Sequence, residues 1–219
     1  MALLHKAELH PTKLELLAGW LPSQRWMPPA PDEKQPAPLE RAAAFRFDDP
    51  DGEVGIETLL VRAGDGPVVQ VPLTYRAAPL AGAEQWLIGT MHHSVLGQRW
   101  VYDAPGDPVY ATALATAILT GGTEAAQYYE VDGERTPVPS TARVRGSGRP
   151  DAHVGPIGQL EVENGQDATV VLAGALTLTI MRTPTVPSGA VTERPSTSGA
   201  TLIATWDAHP EPVVLATAS

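Results

Sequence analysis

The sequence predicts an α+β fold: mainly antiparallel β-sheet cradling a few short helices, with a β-rich C-terminal extension. Three observations carry that expectation. Short segments of alternating apolar and polar residues recur along most of the chain, bounded by turn residues. Two segments carry complete helix-start signals. The 22 prolines and 20 glycines among 219 residues demand frequent turns and non-helical connections. A chain of this length holds one large domain or two small ones. Its character shifts toward turns and β beyond about residue 132, so the expected division is 1–131 and 132–219. The second part is either a separate β unit or an extension of the first sheet.

From the N-terminus, Thr12 and Glu15 form a capping box, in which each side chain satisfies a free backbone N–H at the start of a helix. Leu14, Leu17 and Leu21 then give an apolar stripe, joined by Leu16 and Trp20, and Pro22 stops the run. The spacing predicts a helix over 12–21. The proline-rich stretch 27–38 is expected to be irregular. Strands are expected over 43–47 and 54–63, joined by the turn 48–52. Along 67–76, Val69, Val71, Leu73 and Tyr75 alternate with Gln70, Pro72 and Thr74, and Pro72 argues for an edge or an irregularity. Further strands are expected over 86–91 and 99–102.

Asp107 and Pro108 are an N-cap followed by proline at the first helical position. Tyr110, Leu114 and Ile118 make the buried stripe of that second helix, and Gly121–Gly122 end it. Residues 123–129 carry a faint signal for one more helical turn. Asn164–Gly165 between 158–163 and 168–172 predicts a hairpin, because both residues tolerate positive φ. Leu176, Leu178 and Ile180 alternate along another strand. The Pro-, Ser-, Thr- and Gly-rich stretch 183–199 is expected to be a mobile loop, and 201–206 with 212–216 a closing hairpin.

A net charge of −10 argues against nucleic acid and against an anionic membrane surface, both of which need clustered Lys and Arg. The chain has no cysteine, so nothing requires an oxidising compartment. Neither a signal-peptide-like apolar run at the start nor an apolar stretch of membrane-spanning length is present. The expected location is cytoplasmic.

Two motifs carry a family resemblance. One is Leu21-Pro22-Ser23-Gln24-Arg25-Trp26; the other lies in 71–110, especially Val71-Pro72-Leu73-Thr74-Tyr75-Arg76, Leu87-Ile88-Gly89-Thr90 and Leu96-Gly97-Gln98-Arg99-Trp100-Val101-Tyr102-Asp103. With Asp107-Pro108-Val109-Tyr110 they make residues 1 to about 125 resemble the N-terminal cap domain of actinobacterial maltokinases and related aminosugar kinases. The resemblance implies a curved antiparallel sheet packed on a helix, placed against the N-lobe of a kinase-like fold and not itself catalytic. It also implies the trehalose-to-glycogen pathway, with the cap taking part in assembly with trehalose synthase. Phosphoryl transfer needs a strand lysine, a catalytic-loop aspartate and a metal-binding aspartate. The lysines here are Lys6, Lys13 and Lys34, no histidine begins H-x-D, and no D-F-G occurs. The expectation is a stand-alone cap homologue without the kinase lobes.

His92 and His93 are adjacent, so on a strand they face opposite ways and cannot share one metal. One of them could pair with Asp103 or Asp107 as an acid–base unit; the ordinary account is a histidine in loop hydrogen bonds. Trp86, Trp100, Tyr102 and Tyr110, with Trp20 and Trp26, either form a sugar-stacking platform or fill the core of a chain poor in Phe. Of these, Trp26 and Trp86 are expected to be the exposed ones. Arg25 and Arg99, each preceding a tryptophan, either make structural ion pairs or anchor an interface. Glu130, Asp132 and Glu134 would share a strand face, a divalent-cation pattern that a solvated acidic turn also explains. Common hydrolase, P-loop, metalloprotease and dinucleotide signatures are missing.

The expectation is therefore a non-catalytic accessory or adaptor protein acting with enzymes of α-glucan, trehalose or aminosugar metabolism. Its partner would be a trehalose- or glycogen-pathway enzyme, with a homo-oligomer as the other option. No catalytic residue, metal or cofactor is expected. The binding or interface residues are Arg25, Trp26, Trp86, His92, Arg99, Trp100 and Asp103. The alternative is a sugar or sugar-phosphate binder, or an unrecognised enzyme, with a pocket around Trp86, His92, Arg99, Trp100 and Asp103.

Overall fold

The computed structural model describes residues 2–4, 6–28, 37–131, 134–185 and 199–219. The first half runs β1 (Ala2–Leu4), β2 (Leu9–His10), α1 (Lys13–Trp20), β3 (Leu39–Phe47), β4 (Gly55–Ala63), β5 (Val69–Arg76), β6 (Leu87–His93), β7 (Gly97–Asp103) and α2 (Pro108–Thr120). The second half is all strand: β8 (Gln127–Val131), β9 (Glu134–Val138), β10 (Ala142–Gly146), β11 (Glu161–Asn164), β12 (Ala168–Ala173), β13 (Leu176–Thr185), β14 (Ala200–Trp206) and β15 (His209–Ala218). The chain is thus mostly antiparallel β-sheet with two α-helices among the described residues.

The strands form three sheets. A first six-stranded sheet has the order β2-β6-β7-β5-β4-β3, and a second has β10-β14-β15-β13-β12-β11. A small sheet, β1-β8-β9, contains the parallel pair β1–β8. The other pairings between these strands are antiparallel.

Local chemistry explains both helices. Thr12 and Glu15 make the expected capping box at the start of α1. The helix ends at Trp20, where Pro22 enters a 3-10 turn over Leu21–Ser23. The Asp107 carboxylate accepts from the Val109 N–H at the start of α2, with Pro108 in the first turn. Gly121 closes α2 with φ 71, a left-handed conformation that glycine adopts without penalty. Beyond it, the N–H groups of Gly148 and Arg149 donate to the Ile118 and Leu119 carbonyls, satisfying the helix end from the second sheet's side.

The period-2 pattern of β3 and β4 sorts their side chains onto two cores. Leu59, Val61 and Ala44 face one way, with Val69, Val71, Leu73, Met91 and Val101, and pack against Leu17 and Leu21. Phe45, Phe47, Ile56 and Leu60 face the other way, onto Leu114 and Ile118 of α2 and onto Val171, Leu178, Ile180, Leu202 and Leu215 of the second sheet. Strands β3, β4 and β5 are therefore buried on both faces, and the second sheet shares a core with them; the outer face of β6 and β7 leaves Thr90, His92 and Gln98 exposed. A helix expected to belong to the N-terminal part, α2, packs mainly on β10, β14 and β15. Its close approach is permitted by Gly146, where a Cβ would lie 1.9 Å from the Ala117 carbonyl oxygen.

Two expectations are corrected. Residues 123–129 hold no helical turn: Thr123 bridges Arg145 and the chain then enters β8. Tyr128 and Tyr129 pair with Pro137 and Thr136 instead, so tertiary pairing overrides a weak local propensity. Pro72 does not mark an edge strand, since β5 lies between β4 and β7. The β7 ladder, however, reaches only to Leu73, so at Pro72 the strand has a neighbour on one side, and the missing N–H is tolerated. The hairpin at Asn164 and the closing hairpin β14–β15 form as the sequence predicts. Much of the two irregular stretches, 29–36 and 186–198, lies outside the described residues, as does Asp132 of the acidic trio.

Candidate functional site

A cleft of about 660 Å³ opens along β3 and β4, walled also by the start of α1, the ends of β6 and β7, β8 and residues 138–141. Its most unusual occupant is Glu57, a carboxylate only 5% exposed. The alternation along β4 puts Glu57 on the same face as Leu59 and Val61, hence toward α1, and Arg46 sits directly opposite it on β3. The Lys13 ammonium donates to Glu57 Oε2 at 2.5 Å, the Tyr75 hydroxyl donates at 2.8 Å, and Arg46 Nη2 lies 3.4 Å away.

Burial alone would push the Glu57 carboxyl up. The charges of Arg46 and Lys13, and the hydrogen bonds from Lys13 and Tyr75, outweigh it and hold the group at about 2. Burial pulls the Lys13 ammonium below its usual range despite Glu57, and Arg46 and Arg41 pull the same way. Burial together with the Glu57 charge drives the Tyr75 hydroxyl well up. Arg46 Nε is buried and has no acceptor among the described residues. Arg41 and Arg99 also line the cleft.

The expected site residues are not gathered together. Arg99 and His93 line the cleft, on the face of β6 and β7 that carries Met91. His92 and Trp100 lie at the alternate positions, facing away, with His92 exposed. Trp86 is half-buried against Gly106, where a Cβ would lie 2.1 Å from its Cγ. Arg25 is exposed. A single pocket of Trp86, His92, Arg99, Trp100 and Asp103 therefore does not form, because strand alternation divides its members between two faces and the interior.

Trp26 and Asp103 are corrected most sharply. Trp26, expected at the surface, is 2% exposed: it lies edge-on to Trp20 at 5.6 Å and stacks on the Arg182 guanidinium at 4.3 Å. Arg182 in turn makes a bidentate pair with Asp103, at 2.9 and 2.5 Å, and donates to Thr169 at 2.7 Å. Both members of the ion pair are fully buried. Burial pushes the Asp103 carboxyl up, against the pull of Arg182. Gln70 of β5 makes a second polar link, donating to the Met181 and Leu215 carbonyls at 2.9 Å each. These contacts bolt the second sheet to the first. Arg182 was findable: it continues the inward parity of Leu178 and Ile180. The cleft gave no local signal, since Lys13, Arg46, Glu57 and Tyr75 are scattered through the chain.

With this geometry in place, one comparison bears on the first sheet. Residues 20–107 match the family model of the maltokinase N-terminal cap domain. This stretch is a cap-like domain of that family. The match runs from the end of α1 through β3–β7 to the residue that caps α2, so it covers the body of the first sheet. Helix α2 and the strands of the other two sheets, β1 apart, lie beyond it in the chain. No curated protein matches the chain. Among the described residues no helix is long and apolar enough to cross a membrane, and no three His, Cys, Asp or Glu are grouped to hold a metal ion.

Proposed function

We propose that this chain is a non-catalytic accessory or adaptor protein of the cytoplasm, a cap-type module that docks onto an enzyme of α-glucan, trehalose or aminosugar metabolism. The observation that supports the reading best is the cap match over 20–107, succeeded by an antiparallel sheet that shares the cap's core. Such a sheet supplies a rigid base, and β3, β4 and β5 of the cap are buried between two cores. Contact with a partner then falls to β6 and β7, whose outer face leaves Thr90, His92 and Gln98 exposed, and to hairpin ends and sheet edges. The β6–β7 hairpin end suits that role. Val95 and Leu96 there are 56% and 42% exposed, and the His93 ring nitrogen accepts from both of their N–H groups, which holds the tip in one shape.

The test is affinity capture of the tagged chain from its native host, beside the Val95→Asp/Leu96→Asp variant. The reading expects an enzyme of that metabolism to be enriched with the unaltered chain and lost with the variant. Capture that recovers no such enzyme at matched expression would contradict it, and so would recovery that the variant leaves undiminished. A sugar pocket built on Trp86, His92, Arg99, Trp100 and Asp103 has no support, because the fold separates those residues.

A further inference from the structure

The second sheet has an inner and an outer face. Leu178, Ile180, Leu202 and Leu215 point inward, into the core shared with α2 and the first sheet. The alternate positions point outward, and the register lines them up across the sheet. Glu163 of β11 lies beside Val170 of β12, Val170 beside Thr179 of β13, and Thr179 beside Thr217 of β15. Ile203 of β14 lies between Val214 of β15 and Arg145 of β10. The outward Val170, Ile203 and Val214 join neither core, and Leu172, beside Glu161, is 43% exposed.

Charge is distributed on this face in a way that solvation alone does not explain. A sheet face turned to water ordinarily mixes charges of both signs across its breadth. Along 168–172, 177–181, 201–205 and 214–217, on the four middle strands, every outward residue is Thr, Val, Ile, Leu, Met or Ala. Charge is confined to the two edge strands, and the edges are opposite in sign: Arg143 and Arg145 on β10, Glu161 and Glu163 on β11. All four are exposed. Arg145, Glu161 and Glu163 enter no ion pair among the described residues. Arg143 is bonded to Glu124 at 2.8 Å, yet its side chain stays 70% exposed.

One arrangement of two copies satisfies this pattern. A two-fold axis lying between two such faces and running along the strands carries each β10 edge over the other copy's β11 edge. The contact is isologous, so both edges gain a partner of opposite charge at once. An axis running across the strands would set arginines over arginines. Face-to-face packing with nearly aligned strands is the usual geometry of paired sheets. Strand spacing and rise give a face of roughly 25 by 20 Å, so two copies would bury about 1,000 Å² in all, the lower bound of a specific interface.

We infer that the outer face of the second sheet is a homodimer interface, its uncharged centre packing on itself and its arginine edge meeting the glutamate edge of a second copy. The β6–β7 hairpin belongs to the first sheet, which packs on the opposite face, so the dimer and the partner reading stand or fall separately. The test uses the purified chain alone.

Sedimentation would follow the chain from about 1 to 100 µM, the range over which a micromolar dimer fills. The expected result is a species of twice 23.1 kDa at the upper end. Arg143→Glu/Arg145→Glu and Glu161→Lys/Glu163→Lys should each weaken association roughly tenfold or more, because like charges then meet at both edges. Mixed in equal amounts, the two variants should pair again, since only the mixed pair sets opposite charges together. Melting curves would verify folding, and Ile203→Lys, at the uncharged centre, should abolish the dimer without touching either edge. A native chain that stays monomeric throughout would overturn the proposal. So would charge variants that associate as tightly as the native chain, or a mixture that remains monomeric.

Discussion

Arg182 and Glu57 are the two side chains whose surroundings depart most from a solvated surface, and they act differently. Arg182 is an internal bolt: its guanidinium is fully buried between Asp103, Thr169 and the Trp26 ring. Replacing it with Met strands the Asp103 carboxylate and is expected to cost about 3–5 kcal/mol, measured by urea unfolding. The double variant Arg182→Met/Asp103→Leu should recover most of that loss, since neither charge then remains buried alone. Glu57 instead couples stability to pH. Its carboxyl is held at about 2 against an ordinary 4.5, so its contribution is complete above pH 4.5 and is lost as pH falls toward 2. That shift corresponds to roughly 3 kcal/mol at neutral pH. Glu57→Gln should therefore lower stability at pH 7 and flatten the acid limb of a stability–pH curve between pH 4.5 and 2. A parallel limb in the variant would show that other groups carry it.

At the level of elements, the parts that were legible in the sequence are those whose causes are local. Thr12–Glu15 and Asp107–Pro108 announced both helices because capping acts within four residues. Asn164–Gly165 announced its hairpin for the same reason. The second role of Asp107 was not legible, because its partners Arg76 and Thr74 are more than thirty residues away and meet it only after β5 and β7 pair. That double duty is measurable. Asp107→Asn keeps a capping oxygen and loses the charge that Arg76 grips, whereas Asp107→Ala loses both. Unfolding should rank them native, then Asn, then Ala, with Ala costing at least about 1 kcal/mol more than Asn. Short strands such as β1 and β2 were invisible, since two or three residues carry no readable period.

For the whole molecule, alternation told which faces are apolar but not what covers them. A stretch such as Ile56–Leu60 reads as a strand buried on both sides, yet only the folded chain reveals α1 on one side and α2 with the second sheet on the other. The same limit applies to the candidate sites. A cluster in sequence, Trp86 to Asp103, was dispersed by strand pairing, while Lys13, Arg46, Glu57 and Tyr75 were brought together by it. The shared core, with Gln70 and Arg182 crossing between sheets, predicts one cooperative transition. Tryptophan fluorescence, reporting Trp26 in the first part and Trp206 in the second sheet, should coincide with circular dichroism in urea. Two separated transitions would mean that the sheets are independent.

The central proposal is that this chain, through its cap-like domain, holds a protein partner at the β6–β7 hairpin end. A photoreactive phenylalanine analogue placed at position 95 and irradiated in the native host tests it most directly. The account predicts a crosslinked adduct, identified by mass spectrometry, between this hairpin and an enzyme of α-glucan, trehalose or aminosugar metabolism. Adducts confined to second copies of this chain, or no enzyme adduct above the level of a probe placed at exposed Leu172 on the second sheet, would contradict it.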